Sequence, residues 1–595
     1  MLILSAARRS VLVSALHYSL NASSRRGVTR MSRSPKSGLA RSPQGSPLSA
    51  RPEKRPRLDL EEEADGAAGA QTAAAEPAVG EESSVPNVPR KPKTKKRKEK
   101  RPVIEPYSSD DVLYHDVVDL LKTTGNVTET EKEWDAPIRP GTEVELVVSE
   151  LSSTGDSLCI LPAPHPPWVV AVPFALPGEH VRARIYRSAR LLSFADLLSI
   201  ESSNDALRDM NRVKCKYFGK CAGCQYQMLS YEDQLEFKRK VVDKAYQNFS
   251  SLPADSIPLA LPTIPSPNTY GYRTKITPHF DVPPKQYKSS HGKEWELRIG
   301  FGEKGRRGVI DIEECPIATP ALNEALGPAR QAVQGKISTY KRGATLLLRD
   351  SLEVPAVEMS TSDSESGAAV GVDALSTSLE KHVCISDHKA TVRERVGAFL
   401  FEYPAGSFFQ NNNAVLEPLT TYVRDAALGS STPGSASAPT HLVDAYCGSG
   451  LFAITLSPHF THIAGVEIST DSIHSARHNA TLNHIPASKC TFHAGTASAI
   501  FASVQAFPPA RTVIVIDPPR KGCDGAFIEQ LLAFGAGTVV YVSCNVHTQA
   551  RDVGQILGWE GEGGGRYRLE SLRGFDLFPQ TAHVESVAVL RRQSE

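Results

Sequence analysis

No apolar run in the 595 residues is long enough to span a membrane, so nothing in the sequence reads as a transmembrane helix. A secretory signal is also missing. Ten cysteines without one point to a reducing compartment, where clustered thiols bind metal or do chemistry more often than they form disulfides. Net charge is almost absent at +1, but it is unevenly spread. Residues 1–105 carry 21 Lys and Arg against 11 Asp and Glu, and the rest carry 46 against 55. Nucleic-acid contact by the folded part must therefore use local basic patches.

Residues 1–30 contain no acid, five arginines (Arg8, Arg9, Arg25, Arg26, Arg30) and short apolar patches, the composition of a mitochondrial transit peptide. An arbitrary disordered tail is an equally ordinary reading. Met31 is a second candidate start. From there the chain keeps Arg51–Arg57 and Lys91–Lys98, basic clusters that suit nuclear import or RNA tethering, or are simply solvated. Mitochondrial and/or nuclear-cytoplasmic localisation from two starts is the resulting expectation. Residues 61–90, rich in Ala, Glu and Pro, cannot bury a core.

A short amphipathic helix is predicted from Ser109, with Asp110 and Asp111 near its start. Strand patterns follow at Glu143–Val148, Leu158–Leu161, Trp168–Val172 and His180–Ile185, separated by Gly and Pro turns, which suggests a small barrel. Val172–Glu179 followed by Arg182, Arg184 and Arg187 resembles the TRAM domain, an RNA-binding, OB-like barrel. Arg182 and Arg184 fall on one strand face, suited to phosphate or merely solvated. Cys215, Cys221 and Cys224 lie within ten residues, and Cys315 offers a fourth thiol before Pro316. The set suits a 4Fe-4S cluster held by four thiolates, with zinc as the alternative. Strands are also predicted at Tyr270–Thr277 and Leu297–Gly302, with a basic turn at Lys304, Arg306 and Arg307.

Near the C-terminus, the strand His441–Asp444 runs into Tyr446-Cys447-Gly448-Ser449-Gly450, where glycines let a ligand approach the backbone. A second strand ends at Glu467 and a third at Asp517-Pro518-Pro519-Arg520. This is the order of a class I S-adenosylmethionine-dependent methyltransferase. A dinucleotide-binding Rossmann domain would explain the first two elements but not Asp-Pro-Pro. The next apolar strand breaks at Ser543-Cys544-Asn545. Taken alone, that cysteine reads as a small core residue or as a nucleophile.

Four stretches together resemble the RNA uracil-5-methyltransferases, over roughly residue 140 to the end. They are the Cys215–Gln225 run, Asp517–Arg520, Tyr541–Asn545 with Arg551-Asp552, and Phe575–Ser586. The resemblance implies Cys544 as nucleophile and Glu585 as general base. It implies Gln410, Tyr446, Glu467 and Asp517 as cofactor-side residues, S-adenosyl-L-methionine as cofactor and tRNA as substrate. Ribosomal RNA stays open as an alternative substrate, and so does a non-catalytic RNA-binding or folding factor. Cys447 and Cys523 compete as nucleophiles. Cys447 lies inside the cofactor loop, and the role of Cys523 is open. RNA cytosine-5-methyltransferases use a cysteine directly after a proline in the Asp-Pro-Pro region, which is lacking here, so uracil is favoured.

The expected fold is α/β. A leader (1–105) and a helical lead-in (106–135) precede a TRAM-like β-barrel (136–202). A central α+β domain (203–405) carries the cysteine cluster and an insertion at 351–378. A class I, Rossmann-like methyltransferase domain (406–595) closes the chain. Neither a membrane nor an obligate protein partner is expected.

Overall fold

The structure, a computed structural model, describes residues 104–123, 125, 133–282, 295–353, 380–430, 435, 438–495, 500–561 and 563–593. The leader and the 351–378 insertion lie outside the described residues except at their edges. All described residues belong to one compact unit, Glu99–Glu595. None of their helices is long and apolar enough to cross a membrane.

The expected helix forms at Ser109–Thr123, with Asp110 and Asp111 complementing its N-terminal dipole. Its apolar stripe packs on a closed five-stranded barrel at Leu158, Val169 and Phe194. A strand absent from the sequence-based pattern, Leu192–Ser202, closes that barrel by pairing with both Val169–Val172 and His180–Ala189. Along His180–Ala189 exposed and buried residues alternate, so Arg182 and Arg184 face outward while Val181, Ala183 and Ile185 fill the core.

In the central region the two expected strands shrink and separate. Lys275–Ile276 and Ile299–Gly302 join different small sheets. The physical reason lies in the residues just before Lys275. The Gly271 and Arg273 N–H groups bond the Pro316 and Ile317 carbonyls, and buried Tyr272 donates its hydroxyl to the Pro579 carbonyl. A long helix, Tyr231–Phe249, is capped by the Ser230 side chain and has Gln234, Lys238, Val242 and Tyr246 on its buried face.

The C-terminal half is an eight-stranded sheet. Its order is Cys490–Ala494, His462–Glu467, His441–Ala445, Thr512–Ile516, Thr538–Ser543, Glu585–Arg592, Tyr567–Phe575, Leu261–Ile264. The first five strands are parallel, and Glu585–Arg592 runs antiparallel between its neighbours. Thr512–Ile516 and Thr538–Ser543 are wholly buried, as apolar parallel strands covered on both faces must be. Leu261–Ile264 comes from residues assigned by sequence to the central domain. It sits at the sheet edge, the position that tolerates Pro262. Chain order reverses between His441–Ala445 and Thr512–Ile516. That switch point is where an open α/β sheet binds its ligand.

Candidate active site

Strand register brings the expected residues to one edge of this sheet. Ala445 pairs with Ile516 and Ile516 with Tyr541, so Tyr446, Asp517 and the end of the Thr538–Ser543 strand emerge side by side. Ser543 pairs antiparallel with Ser586, which sets Cys544 across from Glu585. Two residues separated by forty positions in sequence thus meet through one register. Behind the thiol, Asn545 caps the helix Val546–Leu557 and donates its side-chain N–H to the Arg520 carbonyl at 3.0 Å. Thr548 donates its hydroxyl to the same carbonyl at 3.0 Å. The cysteine loop and the Asp-Pro-Pro-Arg turn are therefore one fastened unit.

The electrostatics of this corner are unusual. Glu585 is fully buried, and neither carboxylate oxygen has a hydrogen-bond partner. Burial, then the nearby Asp517, raises its pKa well above the ordinary value, while Arg520 opposes the shift. Asp517 itself is raised to about 7 by burial, although part of its surface still faces the opening. Burial also pushes the Cys544 thiol up, with Glu585 and Asp517 adding to the effect. The nearby Arg520 guanidinium pulls the other way. A buried carboxyl with no partner is costly and contributes nothing to stability. Such a group is the mark of a site that awaits a substrate.

The cofactor side is built from neighbouring strand ends. Glu467 accepts from the Gly448 N–H at 3.3 Å and from the Ser469 N–H at 2.9 Å, which fixes its carboxylate at the strand end. Gly448 has φ +50, and a Cβ there would meet nothing within 4 Å, so the turn lies open to a ligand. Asp444 is buried and accepts from the Ala453 N–H at 2.8 Å. Its other oxygen has no partner, and burial raises it to about 8. These groups fit S-adenosylmethionine. Glu467 suits a ribose diol, the open glycine turn admits close approach, and the free oxygen of Asp444 suits a donor or a cation.

Tyr446 turns the chain at φ 63, but its ring packs 5.5 Å from Phe527 and its hydroxyl faces Cys523. Its side chain is thus half-buried against Phe527. Gln410 is buried on the segment after Phe399–Pro404. Buried Arg349 holds that segment by donating to the Ser407 and Phe409 carbonyls and pairing with Glu394. The competing cysteines are structural. Cys523 is buried, with its N–H on Asp552 and its thiol on the Tyr541 hydroxyl. Cys447 is buried in the core beneath the glycine turn.

Among the described residues the expected metal site finds no support. Cys215, Cys221, Cys224 and Cys315 lie close enough to raise one another's pKa, yet burial dominates each shift. Among the described residues no group of three or more His, Cys, Asp or Glu side chains is arranged to hold a metal ion. Mutual influence across several ångströms is a weaker condition than convergence on one point. The Cys221 backbone forms an isolated antiparallel bridge with that of Glu303, and Asn323 brackets the Cys315 backbone. The iron–sulfur and zinc readings of these four residues thus find no support in this geometry, and no step below uses a metal.

Two groups escaped the sequence. Arg520 was visible only as a departure from the aromatic residue that amino-group methyltransferases carry there. The Asn545 tie left no signal beyond its place after the cysteine.

Comparison with known proteins points to one family. The family model described as tRNA (Uracil-5-)-methyltransferase matches residues 361–593. The tRNA (uracil(54)-C(5))-methyltransferase of Schizosaccharomyces pombe is 45% identical over 500 residues, covering 84% of this chain and 86% of its own. That of Saccharomyces cerevisiae is 37% identical over 548 residues, covering 84% of each. Among solved structures, Pyrococcus abyssi tRNA (uracil-54, C5)-methyltransferase in complex with S-adenosyl-L-homocysteine aligns with a TM-score of 0.51 at 22% identity. It covers 75% of this chain and 100% of its own, a likeness of fold.

Proposed function

Since the chain belongs to the tRNA (uracil-5-)-methyltransferase family, we propose that it methylates C5 of tRNA uridine 54, with Cys544 as nucleophile and Glu585 as general base. S-Adenosyl-L-methionine supplies an electrophilic methyl group. The observation that carries the residue assignment is the Ser543–Ser586 pairing, which sets a thiol opposite a buried, unpartnered carboxylate with Asp517 beside both.

C5 of uracil is too weak a nucleophile to take the methyl group unaided. The Cys544 sulfur adds its electron pair to C6, and the C5–C6 π pair moves to C5 and O4 as an enolate. C5 then forms the new carbon–carbon bond to the cofactor's methyl carbon as the methyl–sulfur bond breaks, the electron pair of that bond returning to sulfur and S-adenosylhomocysteine leaving. Glu585 removes the C5 proton, the C5–H pair re-forms the C5–C6 double bond, and the C6–S pair returns to sulfur. Arg520 favours the thiolate, and Asn545 keeps its loop against the Asp517 turn. Burial disfavours the charged forms of both Cys544 and Glu585, and each acts in its deprotonated form. The target base must leave its stack to enter, and the exposed Arg182 and Arg184 support a TRAM-like role for the barrel in holding the RNA.

Transfer of tritiated methyl groups to unmodified tRNA tests the reading. Wild type labels the tRNA and Cys544→Ala does not. Equal inactivity of both, with cofactor bound, would defeat it. We also infer delivery to mitochondria and/or nucleus from the leader composition. Fluorescent fusions starting at Met1 and at Met31 should separate, and identical distributions would refute it.

A further inference from the structure

Glu585 has no side-chain anchor, because neither carboxylate oxygen is hydrogen-bonded. The backbone leading to it must set where it points. Glu585 opens the strand Glu585–Arg592, paired with Phe575, and on its other side the chain enters it from the loop that follows Phe575; much of the fastening of that loop comes from the helix Tyr231–Phe249, which lies more than 300 residues earlier.

Three residues of that helix, Tyr231, Gln234 and Lys238, recur at the spacing of one helical face. Lys238, fully buried, forms an ion pair with equally buried Asp576 and donates to the Phe578 carbonyl at 3.0 Å. Tyr231 donates its hydroxyl to the other Asp576 oxygen at 2.9 Å. Gln234 accepts from the Gln580 N–H at 2.9 Å and donates to the Gln580 side-chain oxygen at 3.1 Å. Gln580 has φ +73, a strained conformation for a residue with a Cβ, which persists only where its surroundings fix it. Its carbonyl also takes the Gln225 and Tyr226 N–H groups at 2.8 and 3.0 Å.

Stability does not explain this arrangement. A buried ion pair contributes little net stability over an apolar pair of the same volume, because both charges must be stripped of water. What Lys238 supplies is direction. One ammonium fixes a carboxylate and a carbonyl two residues apart, at the start of the loop that carries the base.

We propose that Lys238, with Tyr231 and Gln234, positions Glu585 for removal of the C5 proton by holding the 576–583 loop. The inference rests on the assignment of Glu585 as base. These side chains are engaged by the protein's own loop, so their loss should spare adduct formation and slow its resolution.

The test compares two tRNA substrates with full-length protein. On tRNA containing 5-fluorouridine no C5 proton can be taken, so the denaturation-resistant complex reports addition and methylation alone. On uridine tRNA, turnover also requires the base. For Lys238→Met, complex formation on the fluorinated tRNA should stay within about threefold of wild type. Turnover on uridine should fall by about 10²-fold, the usual cost of a misplacement of about 1 Å, with adduct accumulating. Tyr231→Phe keeps the ion pair and deletes one hydroxyl. It should show a smaller deficit of the same kind, and it decides the matter if Lys238→Met fails to fold. Parallel loss on both substrates, or no change on either, overturns the proposal. Glu585→Gln separates the two failures. If it accumulates adduct while the helix variants do not, positioning by the helix is wrong. If it accumulates none, the base assignment is wrong.

Discussion

Arg520→Gln removes the guanidinium that lowers the pKa of the Cys544 thiol. Two unit charges about 4 Å apart, at an effective dielectric of about 20, interact by about 4 kcal/mol, equivalent to about 3 pKa units. Arg520 is exposed, so water and salt screen most of this, and about one unit is the reasonable expectation. The sign is fixed. Loss of the cation raises the thiol further, and the thiolate fraction at a given pH falls about tenfold. A thiolate of higher pKa is also a better nucleophile, with a sensitivity of about 0.4–0.5, so the net fall in reactivity is about three- to fourfold. The assay is alkylation of Cys544 by iodoacetamide without RNA, followed at the Cys544 peptide by mass spectrometry between pH 7 and 9. Both proteins should react faster as pH rises, with the variant displaced downward in parallel. Unchanged alkylation alongside reduced methyl transfer would refute the reasoning, because Arg520 would then act on RNA and not on the thiol.

Asp552 is buried and accepts from the Tyr541 hydroxyl at 2.6 Å, the Cys523 N–H at 2.7 Å and Arg551. Asp552→Ala should cost about 3 kcal/mol in urea unfolding, the lower range for breaking a buried pair, and a loss below about 1 kcal/mol would contradict this. Glu467→Ala removes the acceptor that fixes the Gly448 turn. By calorimetry its affinity for S-adenosylhomocysteine should fall about 10- to 100-fold, the cost of losing one or two charge-assisted hydrogen bonds, with tRNA binding unchanged. Unaltered affinity would remove Glu467 from the cofactor side.

Much of the site is legible in sequence because it consists of strand ends. Tyr446, Glu467, Asp517 and Cys544 each follow a short apolar run, and a parallel sheet aligns such termini at one edge. Glu585 is different. Its meeting with Cys544 depends on an antiparallel register that only the folded sheet defines, and the family resemblance supplied what spacing could not. Barrel closure was hidden for a related reason. Leu192–Ser202 pairs with a strand two places earlier in the chain, and no local pattern encodes that partner. The cysteine run illustrates the opposite case. Spacing suggests four ligands and the fold brings these thiols near one another, but a metal site also depends on side-chain directions that spacing does not specify. Lys238 could not be read at all. A lysine on an amphipathic helix is ordinarily solvated, and its burial depends on an aspartate at the far end of the chain.

The central claim is that Cys544 attacks the pyrimidine. Incubating the protein with 5-fluorouridine tRNA and S-adenosylmethionine, digesting the trapped complex and sequencing the nucleotide-bearing peptide by mass spectrometry addresses it directly. The account predicts a single adduct on Cys544, carrying both the nucleotide and the transferred methyl group. An adduct on Cys447 or Cys523, or methylated RNA with no protein bound at any stage, would contradict it.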